Sequence, residues 1–158
     1  MFSILILTVG LDQWTKALAV EKLVNQAPIY FFNGLFQILY AENPGAFLGM
    51  GGGLSRELRF VIFGLIVVAG LLGILWAIIK NKFTENEMWA YSFILAGGIG
   101  NVIDRLTHDN GHVIDFLFID LGFARTGVFN VADMAIVLGV FIAFWPTLIN
   151  AFSKQRRT

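Results

Sequence analysis

Four apolar runs, roughly 2–20, 60–79, 88–104 and 128–149, alternate along the chain with more polar segments. A helix rises 1.5 Å per residue, so about 20 residues cross a hydrocarbon core of roughly 30 Å. The run from Phe60 to Ile79 carries no charge and predicts a membrane helix. The other three carry polar residues near one end. Between 25 and 58 the pattern changes: Ile29-Tyr-Phe-Phe and Leu35-Phe-Gln-Ile-Leu-Tyr are β-prone runs separated by Asn33-Gly34. That dipeptide between two such runs predicts a hairpin. Val113 to Leu121 is a further strand-like run, broken by Asp115 and Asp120. The expected fold is a mainly α membrane protein. Four transmembrane helices carry a small extracytoplasmic β-sheet between helices 1 and 2, all within one integral membrane domain, 1–158.

Composition agrees: 57% of residues are hydrophobic and 14% charged, far from the balance of a soluble domain. The net charge of zero leaves no basic patch for nucleic acid. The absence of cysteine excludes disulfides and thiolate chemistry. The first run lacks a basic lead, and Asp12-Gln-Trp-Thr-Lys16 stands where a small-residue cleavage site would be, so it is expected to be a retained helix. An even number of spans puts both termini on one side. Lys80, Lys82, Lys154, Arg156 and Arg157 fall in two short segments there; Lys16, Lys22, Arg56, Arg59, Arg105 and Arg125 are spread over longer segments opposite. Basic residues in short loops and beside helix ends set orientation, which places the termini in the cytoplasm.

Candidate chemistry concentrates between Gly97 and Asp133, a stretch holding five of the eleven acidic residues. An Asp at the centre of a membrane helix costs about 2.5–3.5 kcal/mol on insertion scales. Asn101, Asp104 and Arg105, three and four apart, share a face at the end of the third run; they make either a helix cap or a substrate clamp. Arg105 beside Asp104 is expected to keep that carboxylate ionised. Asn130 and Asp133 are three apart at the start of the fourth run, where a capping role is also open. Asp12 and Lys16, four apart, read as a structural ion pair. Asn43, before Pro44-Gly45, reads first as a turn-former. Gly97, Gly98 and Gly100 read as sites of close helix approach, and Gly51 to Gly53 as a flexible turn.

Several chemistries fit poorly. No serine has a histidine near it in sequence. His108 and His112 lack the helical His-Glu-x-x-His spacing of a metallopeptidase, so no metal or cofactor is expected. Two aspartates sharing one proton remain: like charges a few ångströms apart do not both ionise, so one is acid while the other is base. Such a pair activates water against an amide.

The residues also resemble a known family. Asp12-x-x-x-Lys16, Asn43-x-Gly45-Ala46, Gly97-Gly-x-x-Gly100-Asn101-x-x-Asp104-Arg105, Gly111-x-Val113-x-Asp115-Phe116 and Phe129-Asn130-x-Ala132-Asp133 resemble, in order, the motifs of lipoprotein signal peptidase, or signal peptidase II. The chain departs from the family pattern where Pro44 precedes Gly45 and Phe47 follows Ala46 directly. The resemblance implies a multi-pass aspartyl endopeptidase of the bacterial inner membrane, with the extracytoplasmic sheet cradling the substrate and the active site near the outer leaflet. It implies cleavage of prolipoprotein signal peptides before a diacylglyceryl-modified cysteine. It assigns Asp115 and Asp133 as the catalytic pair, with Asn43, Asn101, Asp104, Arg105 and Asn130 positioning substrate and pair, and Asp12 and Lys16 supporting them. Lipidated precursors and membrane lipid are the expected partners of a monomer. The rival readings are a small transporter or proton pathway, and a structural membrane protein whose charges only pair. The two halves share no motif and the polar residues gather at one leaflet, against the internal repeats common in transporters.

Overall fold

The computed structural model describes residues 1–45, 53–55, 58, 60–108 and 110–155. Ala46, Phe47, Gly51, Gly52, Arg56, Arg59, Arg156 and Arg157, used in the reading above, lie outside the described residues. Among the described residues four α-helices form: α1 (Phe2–Leu23), α2 (Val67–Lys80), α3 (Glu85–Thr107) and α4 (Val131–Gln155). The uncharged second run is not α-helical throughout. Its first part, Phe60–Ile66, is a π-helix that passes into α2. Among the described residues, α1 alone is by itself a helix long and apolar enough to cross a membrane.

The third helix begins before its apolar run. Thr84 accepts the Glu87 amide at 3.3 Å, and the Glu87 carboxylate accepts the Thr84 amide at 2.8 Å, a reciprocal capping box. The helix α3 packs on both α1 and α4. Glycine makes that possible. A Cβ at Gly97 would overlap the Ala132 carbonyl of α4, and one at Gly100 would lie 2.5 Å from Oδ2 of Asp12 on α1. At Gly98 the neighbour is Leu71 of α2.

The Asn33-Gly34 hairpin is present. Strand β1 (Ile29–Phe31) pairs antiparallel with β2 (Phe36–Asn43), and Phe32, Asn33 and Gly34 all take left-handed backbone in the turn between. The sheet is not drawn only from the segment between the first two helices. Its third strand, β3 (Val113–Ile119), comes from between α3 and α4 and pairs antiparallel with β2. Register places Ala41 opposite Asp115 and Asn43 opposite Val113, with an irregularity between Ile38 and Ala41. Residues two apart on a strand share a face, so Asn43 and Asp115 are diagonal neighbours. The sheet seats on the end of α1 through Ala19, Leu23, Ile114 and Phe116, with Ile38, Tyr40, Leu117 and Val131 around them.

Polarity is arranged inside out. Asp12, Lys16, Asp104, Asp115, Asn130 and Asp133 are buried, while Phe2, Ile6, Leu7, Leu72, Trp76, Ile79, Phe141 and Phe144 are exposed.

Candidate active site

The start of α4 organises the site. Asn130 is its N-cap: Oδ1 accepts the Asp133 amide at 2.9 Å, and Asp133 Oδ2 in turn accepts the Asn130 amide at 3.3 Å. The capping role is therefore real, and it fixes both side chains. Asp133 sits in the first turn, where the helix dipole favours negative charge. A second cap comes from another helix. Oδ1 of Asp12 accepts the Ala132 amide at 2.8 Å.

Asp115 reaches the same place from β3. Its Oδ1 accepts from Asn130 Nδ2 at 2.6 Å, and its Oδ2 accepts from Asn43 Nδ2 at 2.8 Å. Asn43 is a turn-former too, since its Oδ1 accepts the Gly45 amide at 2.9 Å. Asn101 completes the bridge. Its Nδ2 donates to Asp133 Oδ1 at 2.9 Å, and its Oδ1 accepts from Asn130 Nδ2 at 3.1 Å. Three asparagines thus hold the two aspartates from both sides. Burial pushes the Asp115 carboxyl up to about 7, against the pull of its Asn43 and Asn130 hydrogen bonds and with a further push from the charge of Asp133.

Beneath lies a buried ionic layer. Lys16 Nζ meets Asp12 Oδ2 at 2.8 Å, Asp104 Oδ2 at 2.9 Å and Asn101 Oδ1 at 3.1 Å. The expected Asp12–Lys16 pair is present but is half of a larger arrangement. Asp104 pairs directly with Lys16 on α1, a partner the sequence did not suggest, and the Arg105 charge acts on the same carboxylate. Asp104 Oδ2 also accepts the Ile114 amide at 3.0 Å, tying α3 to the start of β3. Arg105 donates to the Asn101 carbonyl at 3.0 Å and to the Gly45 carbonyl at 2.7 Å, which leads it across to the Asn43 loop.

Gln13 was missed in the sequence. Its Nε2 donates to Asp104 Oδ1 at 2.9 Å and approaches the Gly100 carbonyl and Asp12 Oδ2, each at 3.2 Å. Its place between Asp12 and Lys16 was the available signal. The two histidines go elsewhere: His108 Nδ1 lies 3.0 Å from the Asp104 carbonyl and His112 Nδ1 3.0 Å from Glu42 Oε2.

All nine residues singled out in the sequence thus enter one connected network spanning α1, β2, α3, β3 and α4. The family model for Signal peptidase (SPase) II matches residues 4–149. The chain belongs to the signal peptidase II family. It is accordingly an aspartic peptidase. The lipoprotein signal peptidase of Psychromonas ingrahamii is 38% identical over 154 residues, covering 94% of this chain and 82% of the relative. That of Enterococcus faecalis is 36% identical, covering 90% and 84%. Two solved structures described as bacterial membrane enzymes, both 26% identical, superpose with TM-scores of 0.79 and 0.77. The first covers 97% of this chain and 90% of its own.

Proposed function

We propose that Asp115 and Asp133 are the catalytic pair with which this signal peptidase II removes the signal peptides of bacterial prolipoproteins, cutting before a lipid-modified cysteine. The observation that carries this is the convergence of two buried carboxylates on one asparagine, Asn130, which donates to one and caps the helix of the other. In the reaction one carboxylate takes a proton from water as the water oxygen bonds to the scissile carbonyl carbon. The other carboxyl gives its proton to the carbonyl oxygen. The resulting diol then returns a proton to the pair, the C–N bond breaks, and the leaving nitrogen is protonated. One water is consumed, one acid and one amine are formed, and the pair is reset. No cofactor or metal enters these steps.

The same reading makes 1–158 one membrane domain with four spans, cytoplasmic termini and a site near the outer leaflet of the inner membrane, acting as a monomer. It is supported by the buried charges and exposed apolar side chains, the reverse of a soluble core, and by the grouping of basic residues. The sheet is read as a cradle because Asn43 and Asp115 share one of its faces. Asn43, Asn101, Asp104, Arg105 and Asn130 then position substrate and pair, and Asp12 and Lys16 support them. Long acyl chains would hold the scissile bond at this depth, at roughly 0.8 kcal/mol per buried methylene. Incubation of purified protein with lipidated and unlipidated precursor tests the proposal. Cleavage confined to the lipidated form is the expected result; equal turnover of both overturns the substrate assignment, and cleavage surviving in Asp133→Asn overturns the pair.

A further inference from the structure

Lys16 has three N–H donors and no acceptor, and each donor has a partner: Asp12, Asp104 and Asn101. The first two make an ion-pair layer. The third does something different, because an asparagine side chain has two unlike ends. An obligate donor at Asn101 Oδ1 commits the other end, Nδ2, to Asp133 Oδ1 at 2.9 Å. Asn130 Nδ2 also reaches Asn101 Oδ1, at 3.1 Å, but it lies closer to Asp115 Oδ1, at 2.6 Å. If the Asn101 amide turned over, its oxygen would face a carboxylate oxygen, an arrangement stable only with a proton between them.

We infer that Lys16 is a positioning residue for catalysis: by fixing the Asn101 amide it keeps Asp133 as the ionised base of the pair and leaves the shared proton on Asp115. This rests on the proposed pair and divides its labour. Other features agree. Asp133 receives two N–H groups, from Asn101 and from the Asn130 backbone, at a helix N-terminus. Asp115 sits in a strand without that dipole. The charged groups around Asp133 are Lys16 and Asp12 from α1, Arg105 from α3 and Asp115 from β3, with Asp104 of α3 on the Lys16 ammonium behind them.

The test reads protonation and activity separately. Lys16→Met is made together with Asp104→Asn, so that one charge of each sign leaves the buried layer and the protein folds. Single-turnover cleavage of lipidated precursor is followed against pH in this variant, in Asp104→Asn, in Asn101→Ala, and with Lys16→Met and Asp104→Asn added to Asn101→Ala. Relative to Asp104→Asn, the loss of Lys16 lowers the maximal rate at least tenfold, leaves KM nearly unchanged, and moves the acid limb upward by about one pH unit, a tenfold change in proton affinity. In the Asn101→Ala background the same loss adds nothing further. Isotope-edited infrared titration of the aspartyl carboxyls supplies the readout independent of turnover. The carboxyl band that titrates near neutrality is lost in Asp115→Asn and persists in Asp133→Asn. An unmoved acid limb, an effect of equal size in the Asn101→Ala background, or a neutral-range band lost in Asp133→Asn overturns the inference. Absence of cleavage by the unaltered protein overturns the proposed function instead.

Discussion

Asp12 caps a helix to which it does not belong: its Oδ1 accepts the amide of Ala132, the residue before Asp133, at 2.8 Å. Its other oxygen pairs with Lys16 at 2.8 Å. One side chain therefore joins the buried ionic layer to the backbone that carries a proposed catalytic acid. Asp12→Ala removes both roles and leaves Lys16 short of a partner. Breaking a buried pair in this way costs about 3–5 kcal/mol, so Asp12→Ala is expected to melt well below the unaltered protein in detergent. Asp12→Asn keeps an acceptor for the Ala132 amide and should lose less.

The acids separate by role. Asparagine keeps the shape of aspartate but neither gives nor takes the proton. Asp115→Asn and Asp133→Asn should each lower single-turnover cleavage by about 10²–10⁴-fold or more, the range of general acid–base catalysis, while inserting and purifying normally. Asp104→Asn should keep measurable cleavage and melt earlier, because Asp104 serves Lys16 and the Ile114 amide. Full activity in Asp115→Asn beside none in a well-folded Asp104→Asn would reassign the pair to Asp104 and Asp133.

Asp115 also sets a pH dependence of stability. Its folded-state affinity for a proton is raised, to about 7 from the ordinary carboxylate value of 3.8. The folded protein therefore holds this proton more tightly than the unfolded chain does. The stabilisation is complete below the ordinary value and is lost as pH rises through about 7. Melting temperatures of Asp115→Asn measured from pH 4 to 8 should lack this decline and meet or exceed those of the unaltered protein at pH 8.

Two glycines, one on α3 and one on α1, should respond in opposite directions. A methyl at Gly100 would stand 2.5 Å from Asp12 Oδ2 and 3.2 Å from Ala132 Cβ. Gly100→Ala is expected to cost about 1–3 kcal/mol, as overpacking does, and to depress cleavage through Asp12. Gly10, on α1, has nothing within 4 Å of such a methyl. Gly10→Ala should be neutral or stabilise by up to about 1 kcal/mol. Thermal melts with parallel cleavage assays check both.

Local pattern carried much of this molecule. Asn33-Gly34 announced the hairpin, and the apolar runs located the helices. The helix starts were misplaced where chemistry rather than hydropathy decides them. Thr84 and Glu87 cap α3 ahead of its apolar run at Met88. At the other end of the site, Phe129 continues to pair with Leu117, its amide donating to the Leu117 carbonyl at 2.8 Å, so α4 waits until Val131. Non-local pairing was not legible: nothing near Val113 states that it will lie opposite Asn43. The same limit hid the Lys16 partner of Asp104. Arg105 is next in sequence, whereas Lys16 is next in space. Family motifs picked out the members of the buried polar network, but only the fold revealed that Asn130 is at once a cap for Asp133 and a donor to Asp115.

The contact between Asp12 and Ala132 spans 120 residues. A ribosome delivers the N-terminal end first, so Asp12 and Lys16 are made long before Asp104, and longer still before Ala132 and Asp133. Until then the early pair has only itself. A fragment that stops short of Asp133 lacks one of the two proposed catalytic carboxylates, and the backbone that carries it is capped by a residue of the first helix.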